Sequence, residues 1–271
     1  MFDLPDTPVT MQRTRGRAAV TIGARGLERL HQSGSAKAML PRMHGAVPEV
    51  VFLNTSGGLT GGDRLSFEME LAAGARAVAT TQTAERAYAS SGGVAEVQVT
   101  HRVGRGGALD WLPQETILFD GSALDRRTEA HLEGDARFLF VETLVLGRAA
   151  MGETVARLDL TDRRMVFRDG APVLAEPLRL GAEALARREA IATLGGARAF
   201  ATLGLVAPGA EDALGPVRAA LAEDGVEAAA SGWDGKLVVR AMARDGYPLR
   251  RLVARLLTVI RGAELPRVWQ M

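Results

Sequence analysis

Residues 53–65, LNTSGGLTGGDRL, place four glycines, Gly57, Gly58, Gly61 and Gly62, among small polar side chains. Such a stretch can wrap backbone amides around a phosphate, so the first chemistry to weigh is nucleotide binding. Gly57 and Gly62 have the spacing of a G-x-x-x-x-G-K-S/T loop, but Asp63 and Arg64 occupy the two positions that follow. An aspartate where the lysine belongs repels a phosphate, and no hydroxyl remains to hold magnesium. The dinucleotide pattern G-x-G-x-x-G is absent as well. The glycines are therefore expected to allow a tight turn of positive φ that presents Asp63 and Arg64.

A second set of residues consists of acids and amides inside apolar stretches. WLPQETILFDG sets Gln114, Glu115 and Asp120 beside Ile117, Leu118 and Phe119, and FLFVETLVLGR sets Glu142 within an apolar run. A carboxylate in such surroundings is costly unless it is paired, hydrogen-bonded or wet. The histidines His31, His44, His101 and His131 show neither an i,i+4 pair nor a His-Glu signature, so a metallohydrolase is unsupported. His101 and His131 are expected to be satisfied residues at the surface or at strand ends. There is no G-x-S-x-G elbow, and no base can be named for Ser56. Cysteine is absent, which removes disulfides, zinc–thiolate sites, iron–sulfur clusters and thiol nucleophiles together.

The elements that must carry these residues are mainly strands. From Arg64 to about Arg168 the period is two, seen best where Leu65, Phe67, Met69 and Leu71 alternate with Ser66, Glu68 and Glu70. Three strand–turn–strand units can be overlaid on Gly74, Gly107 and Gly134, at spacings of 33 and 27 residues. Two architectures give this pattern: a β-solenoid whose coils cover one another's open faces, or consecutive hairpins of a sandwich. In the overlay Gln82, Glu115 and Glu142 fall at the same offset, eight residues past each glycine. In stacked coils they form a polar ladder, either a structural hydrogen-bond ladder or the lining of a wet passage with weak metal ligands.

Helices come late. EDALGPVRAALAED aligns Leu214, Val217 and Leu221 with Glu211 and Asp212 in the first turn. WDGK predicts an Asp-Gly hairpin turn into the strand LVVRAMA. From Tyr247 a second helix puts Leu249, Leu252, Val253, Leu256, Leu257 and Ile260 on one stripe, which reads as a core-packing face. The chain has 33 basic and 32 acidic residues for a net charge of +1, which gives no electrostatic reason to expect nucleic acid or an anionic membrane. No run of eighteen apolar residues predicts a membrane span. The N-terminal MFDLPDTPVTMQRTRG lacks the pattern of a signal peptide, and an intracellular location fits.

Three blocks, NTSGGLTGGDRLSFEMELAAGARAVATTQTAERAYAS, LDWLPQETILFDGSAL and LVLGRAAMGE, resemble the urease accessory protein UreD family, called UreH in some organisms. The resemblance continues through DGKLVVRAM to the closing PRVWQM. It implies a single domain over residues 1–271, mainly β, with a solenoid-like helical winding of strands and two helices in the C-terminal third. It implies a cytoplasmic scaffolding chaperone rather than an enzyme. Its partners would be the urease apoprotein UreABC, UreF and the GTPase UreG, with UreE supplying nickel indirectly. Guanine nucleotide would then belong to UreG, and no tightly bound cofactor is expected here beyond nickel in transit. Ions that must be released again suit weak oxygen ligands. On this reading Asp63, Glu115, Asp120 and Glu142 are the candidate transient nickel ligands, with Gln82 and Gln114 completing the ladder. Two alternatives remain at this level: an assembly bracket that never touches nickel, and a β-rich small-molecule enzyme using Asp63 and Arg64.

Overall fold

A computed structural model describes residues 12–41 and 47–270; the N-terminal stretch 1–11, His44 and Met271 lie outside the described residues. The strands are β1 (Arg15–Gly23), β2 (Gly26–Gly34), β3 (Ala36–Met39), β4 (Glu49–Asn54), β5 (Arg64–Leu71), β6 (Arg76–Thr81), β7 (Glu85–Ala87), β8 (Ala95–Val103) and β9 (Ala108–Leu112). They continue as β10 (Thr116–Leu118), β11 (Ser122–Leu132), β12 (Arg137–Leu146), β13 (Leu158–Arg168), β14 (Ala171–Gly181), β15 (Ala199–Val206), β16 (Val226–Trp233) and β17 (Lys236–Ala243).

From β4 to β13 the longer strands alternate between two sheets. One has the order β14-β13-β11-β8-β5-β1-β2 and the other β16-β17-β15-β12-β9-β6-β4-β3. Within each sheet the middle strands are parallel: β5 to β8 to β11 to β13 in the first, β4 to β6 to β9 to β12 in the second. The short strands β7 and β10 pair with one another and β10 with β12, making a third side. The chain therefore winds as about four stacked coils, and the parallel pairing decides for the solenoid over consecutive hairpins.

Period two explains the interior. Leu65, Phe67, Met69 and Leu71 of β5 are buried while the residues between them face outward, and β8 repeats the pattern. Both ends are closed by antiparallel strands, β1–β2 and β3 at one end, β14 and β15–β17 at the other. The Asp-Gly turn forms as predicted, with Asp234 at φ 44° and Gly235 at φ 70° between the paired Trp233 and Lys236.

The predicted late helices are α2 (Leu214–Ala219), entered through a 3-10 turn at Ala210–Ala213, and α3 (Gly246–Arg261); a short α1 (Ala182–Ala186) adds to them. Asp245 caps α3 by accepting from the Tyr247 N–H at 2.7 Å, and Gly262 ends it at φ 61°. Leu249, Leu252, Val253, Leu256 and Leu257 pack on the outer face of the second sheet, against Leu139, Val141, Leu203 and Val239. Each such side chain, fully buried, contributes about 1.5–3 kcal/mol before entropy is counted. The core-packing reading of this helix holds, and no helix among the described residues is long and apolar enough to cross a membrane.

Candidate functional site

The glycine loop is built for stacking. A Cβ on Gly58 would lie 2.7 Å from the Arg86 carbonyl and one on Gly61 would lie 2.5 Å from the Gly92 and Gly93 carbonyls, so the loop runs flush against the next coil. Asp63 is not presented to solvent as its position suggested. It is buried, and its two carboxylate oxygens accept the Thr14 N–H at 2.7 Å and the Thr60 N–H at 2.8 Å. Arg64 alone is exposed, 3.2 Å from Glu96. A carboxylate committed to two amides ties the loop together and is not free for catalysis or metal.

Asp120 plays a similar part in the same stack of loops, where the Ser90 N–H donates to the Gly121 carbonyl at 2.9 Å. It accepts from the backbone N–H of Ala156 and of Arg157 at 2.8 and 2.7 Å and pairs with the Arg157 guanidinium. The Arg157 amide, its guanidinium and the Ala156 amide hold its pKa down at about 2.

The ladder offset requires correction. Strand register aligns Arg76, Ala108 and Arg137, so Gly74 matches Gly106 rather than Gly107, and Asp135 rather than Gly134. Counting back from the pair Thr116–Leu144, Gln114 lies opposite Glu142, and Glu115 lies opposite Thr143. A slip of one residue moves a side chain to the other face of its strand. Glu115 accordingly turns outward, 3.0 Å from Arg250 of α3, and Gln82 is exposed. Gln114 accepts from the same Arg250 at 2.6 Å.

What the fold does bring together is Glu142 with residues the ladder did not include. Arg126 of β11 reaches Glu142 at 2.8 Å and Asp162 of β13 at 2.7 Å, and donates to Thr116 at 3.1 Å. Trp111 Nε1 donates to the other Glu142 oxygen at 3.2 Å. Arg164 stands beside Asp162 at 3.8 Å. All four charged groups are buried, so each depends on the others for its ionised state. Burial raises the Glu142 pKa against the opposing charge of Arg126. Burial acts on Asp162 as well, but the attraction and hydrogen bonds of Arg126, with Arg164 behind, carry its pKa below the usual range.

Glu142 faces a cavity of about 50 Å³ that Gln114, Thr116, Arg126, Glu85 and Trp111 also line. Beside it a hollow of about 60 Å³, sharing Phe67, Thr81 and Glu85, opens past Asn54, Gln82 and Arg86. Glu85 therefore stands between the two spaces. It accepts from Asn54 at 3.2 Å and from the Arg86 N–H at 3.1 Å, and burial raises its pKa. Among the described residues no group of three or more His, Asp or Glu side chains is placed to hold a metal ion. Of the candidate ligands, only Glu142 lines this cavity, with Gln114 beside it and Glu115 behind the wall.

Glu85, Arg126, Asp162 and Arg164 escaped the sequence reading. A signal was there: in β11 Leu124, Arg126, Thr128, Ala130 and Leu132 share one face, and in β13 Leu160, Asp162, Arg164 and Val166 do. A charged residue in phase with the leucines is an inward charge. His101 also departs from expectation. It is fully buried against Trp111 and Phe138, at ring distances of 4.8 and 5.6 Å, with neither ring nitrogen hydrogen-bonded to a described residue. Burial pushes its pKa down to about 3. His131 is half-buried and stacks on Phe167.

Fold and site together define a β-solenoid with a charged interior hollow. Residues 13–270 match the family described as UreD urease accessory protein, and the chain belongs to that family. It is 65% identical over 264 residues to a protein of Cereibacter sphaeroides (strain ATCC 17025 / ATH 2.4.3), covering 96% of each chain. It is 54% identical over 271 residues to one of Paracoccus denitrificans (strain Pd 1222), covering 100% of this chain and 97% of the relative. A relative from Rhizobium leguminosarum bv. trifolii (strain WSM2304) is 48% identical over 267 residues, 96% of both. All three carry the name urease accessory protein UreD.

Proposed function

We propose that this chain acts in the cytoplasm as a non-catalytic maturation factor for urease, holding the urease apoprotein together with UreF and the GTPase UreG while nickel is inserted. The observation that carries the reading is family membership over residues 13–270. The commitment of Asp63 to two amides argues against the small-molecule enzyme alternative.

The interior supports a finer reading, in which nickel passes through the solenoid as cargo. The hollow at Asn54 and Gln82 leads by Glu85 to the cavity at Gln114 and Glu142. Its oxygen donors are weak ligands that release a borderline metal, and Glu85 has no guanidinium paired to it among the described residues. The space is small. At about 10–15 Å³ for each ordered water, a cavity of about 50 Å³ has room for about three to five, so nickel that keeps six waters must shed some or widen it.

One observation favours the second reading, an assembly bracket that never meets nickel. Both Glu142 oxygens are already engaged, by Arg126 and Trp111, and the nearby guanidinium repels a cation. Deleting the gene from cells that carry a complete urease cluster, with nickel supplied, tests the shared core of both readings. Urease activity should vanish and return on complementation while subunit levels stay constant. Activity that persists without the gene refutes a maturation role.

A further inference from the structure

Beyond the fourth coil the two sheets part, leaving an open cleft of about 530 Å³. Leu178 and Leu180 of β14, Phe200 of β15, Met242 of β17 and Leu194 form its apolar walls. Arg164 lines it too, with a side chain only 7% exposed. Its Nε has no hydrogen-bond partner among the described residues, and Asp162 meets it only at 3.8 Å. The two Asp162 oxygens are already held by Arg126 at 3.2 and 2.7 Å, so they cannot serve Arg164 fully. At the rim Arg240 is paired with Glu176, and Glu227 is exposed to water.

A guanidinium presents its donors in a planar fork suited to a carboxylate, and leaving the Arg164 Nε–H buried and unmet is unfavourable. The cleft thus combines a buried cation that has one unmet donor and only a distant carboxylate with walls that need covering. Pro172 and Pro177 take donors from the edge strand β14, which hinders main-chain pairing on that side of the cleft. We infer that the cleft docks a segment of a partner protein in which one Asp or Glu is flanked by large aliphatic or aromatic residues. The carboxylate meets Arg164 as a fork, and the flanking side chains cover Leu178, Phe200 and Met242. This rests on the reading that the chain works inside a protein complex, but it names a surface and a recognition chemistry that the reading leaves open.

The test uses the full chain in cells that express the complete urease cluster. The photo-crosslinker p-benzoylphenylalanine is placed at Leu178 in the cleft wall or at the exposed Arg179 as control. Irradiation should give an adduct from position 178 and not 179, on a stretch of one cluster-encoded protein that holds an acid beside large apolar residues. Converting that acid to its amide, or making Arg164→Met, should each weaken the purified pair about tenfold or more. Both changes together should lose no more than either alone. Arg164→Lys, which keeps the charge without the fork, should fall between. An adduct segment without a carboxylate, additive losses, or no adduct to a cluster-encoded protein overturns the proposal. If Arg164→Met does not fold by circular dichroism, the acid-to-amide change on the partner decides alone. Urease activity in the same cells separates the two failures: a gene-dependent activity without an adduct sinks the cleft and leaves the maturation role standing.

Discussion

Along one inward row of the seven-stranded sheet the side chains run Leu65, Val97, Arg126, Asp162, and along the next Phe67, Val99, Thr128, Arg164. The first two coils fill their share of these rows with apolar groups, and Phe52, Phe67 and Trp111 pack their rings at 4.9 and 6.0 Å. The last two coils put Arg126, Asp162 and Arg164 in the same rows, with Thr128 as the neutral member. The backbone ladder does not distinguish the two halves, since a solenoid repeats one hydrogen-bonding pattern whatever faces inward. What differs is the condition for stability. An apolar row needs only volume, whereas a charged row must neutralise itself within a few ångströms. Arg126 between Glu142 and Asp162 meets that condition, and Arg164 meets it only in part.

The largest effect is expected from breaking the charged half. Asp162→Ala leaves Arg126 with Glu142 alone and removes from Arg164 the carboxylate beside it, so urea unfolding should show a loss of about 3–5 kcal/mol. Trp111→Phe, at the border of the halves, keeps most of the ring volume but withdraws the N–H from Glu142. A loss of about 1–3 kcal/mol is expected. In the apolar half His101 supplies the pH test. Its pKa of about 3 lies below that of the unfolded chain, so the folded state refuses a proton that the unfolded state takes up. Stability is therefore unaffected by this group above the unfolded value of about 6.5 and falls as pH drops below it, by about 1.4 kcal/mol per pH unit. That part of the acid loss should disappear in His101→Leu; an unchanged pH profile would place the acid sensitivity elsewhere. The smallest effect belongs to the outer face. Arg163 and Asp125 are 2.7 Å apart but 50% and 40% exposed, so Arg163→Ala should shift stability by no more than about 1 kcal/mol.

The features set by local spacing were largely legible. The alternation in β5, the Asp-Gly turn at Asp234 and the apolar stripe of α3 each formed as the sequence predicts, whereas the Asp245 cap of α3 is a finding of the structure. The interior chemistry was legible in Glu142, whose apolar surroundings are continuous in sequence, and in Gln114, which lines the same cavity. The partners of Glu142 lie 16 and 20 residues from it in other strands, Arg126 before and Asp162 after, and only the register joins them. The ladder failed for a related reason. Overlaying turn glycines assumes coils of equal length, but the bend before Thr116 holds a different number of residues from the one before Leu144, and one residue reverses a side chain. Asp63 departs from the expectation because exposed loops usually show their polar groups, whereas this one turns its acid back to accept from its own Thr60 amide and from the Thr14 amide before β1.

The central claim is that the charged interior of the late coils serves urease maturation and is more than a structural knot. Glu142→Gln isolates it, since the amide oxygen can still accept from Trp111 and Arg126 keeps Asp162. The measurement is the nickel content of urease purified from cells carrying the complete cluster with this variant in place of the native chain, alongside its soluble level and co-purification with partners. The account predicts a chain that folds and assembles normally and a urease that contains markedly less nickel. Urease loaded with nickel to the native level by a folded Glu142→Gln chain would contradict it and leave the bracket reading in its place.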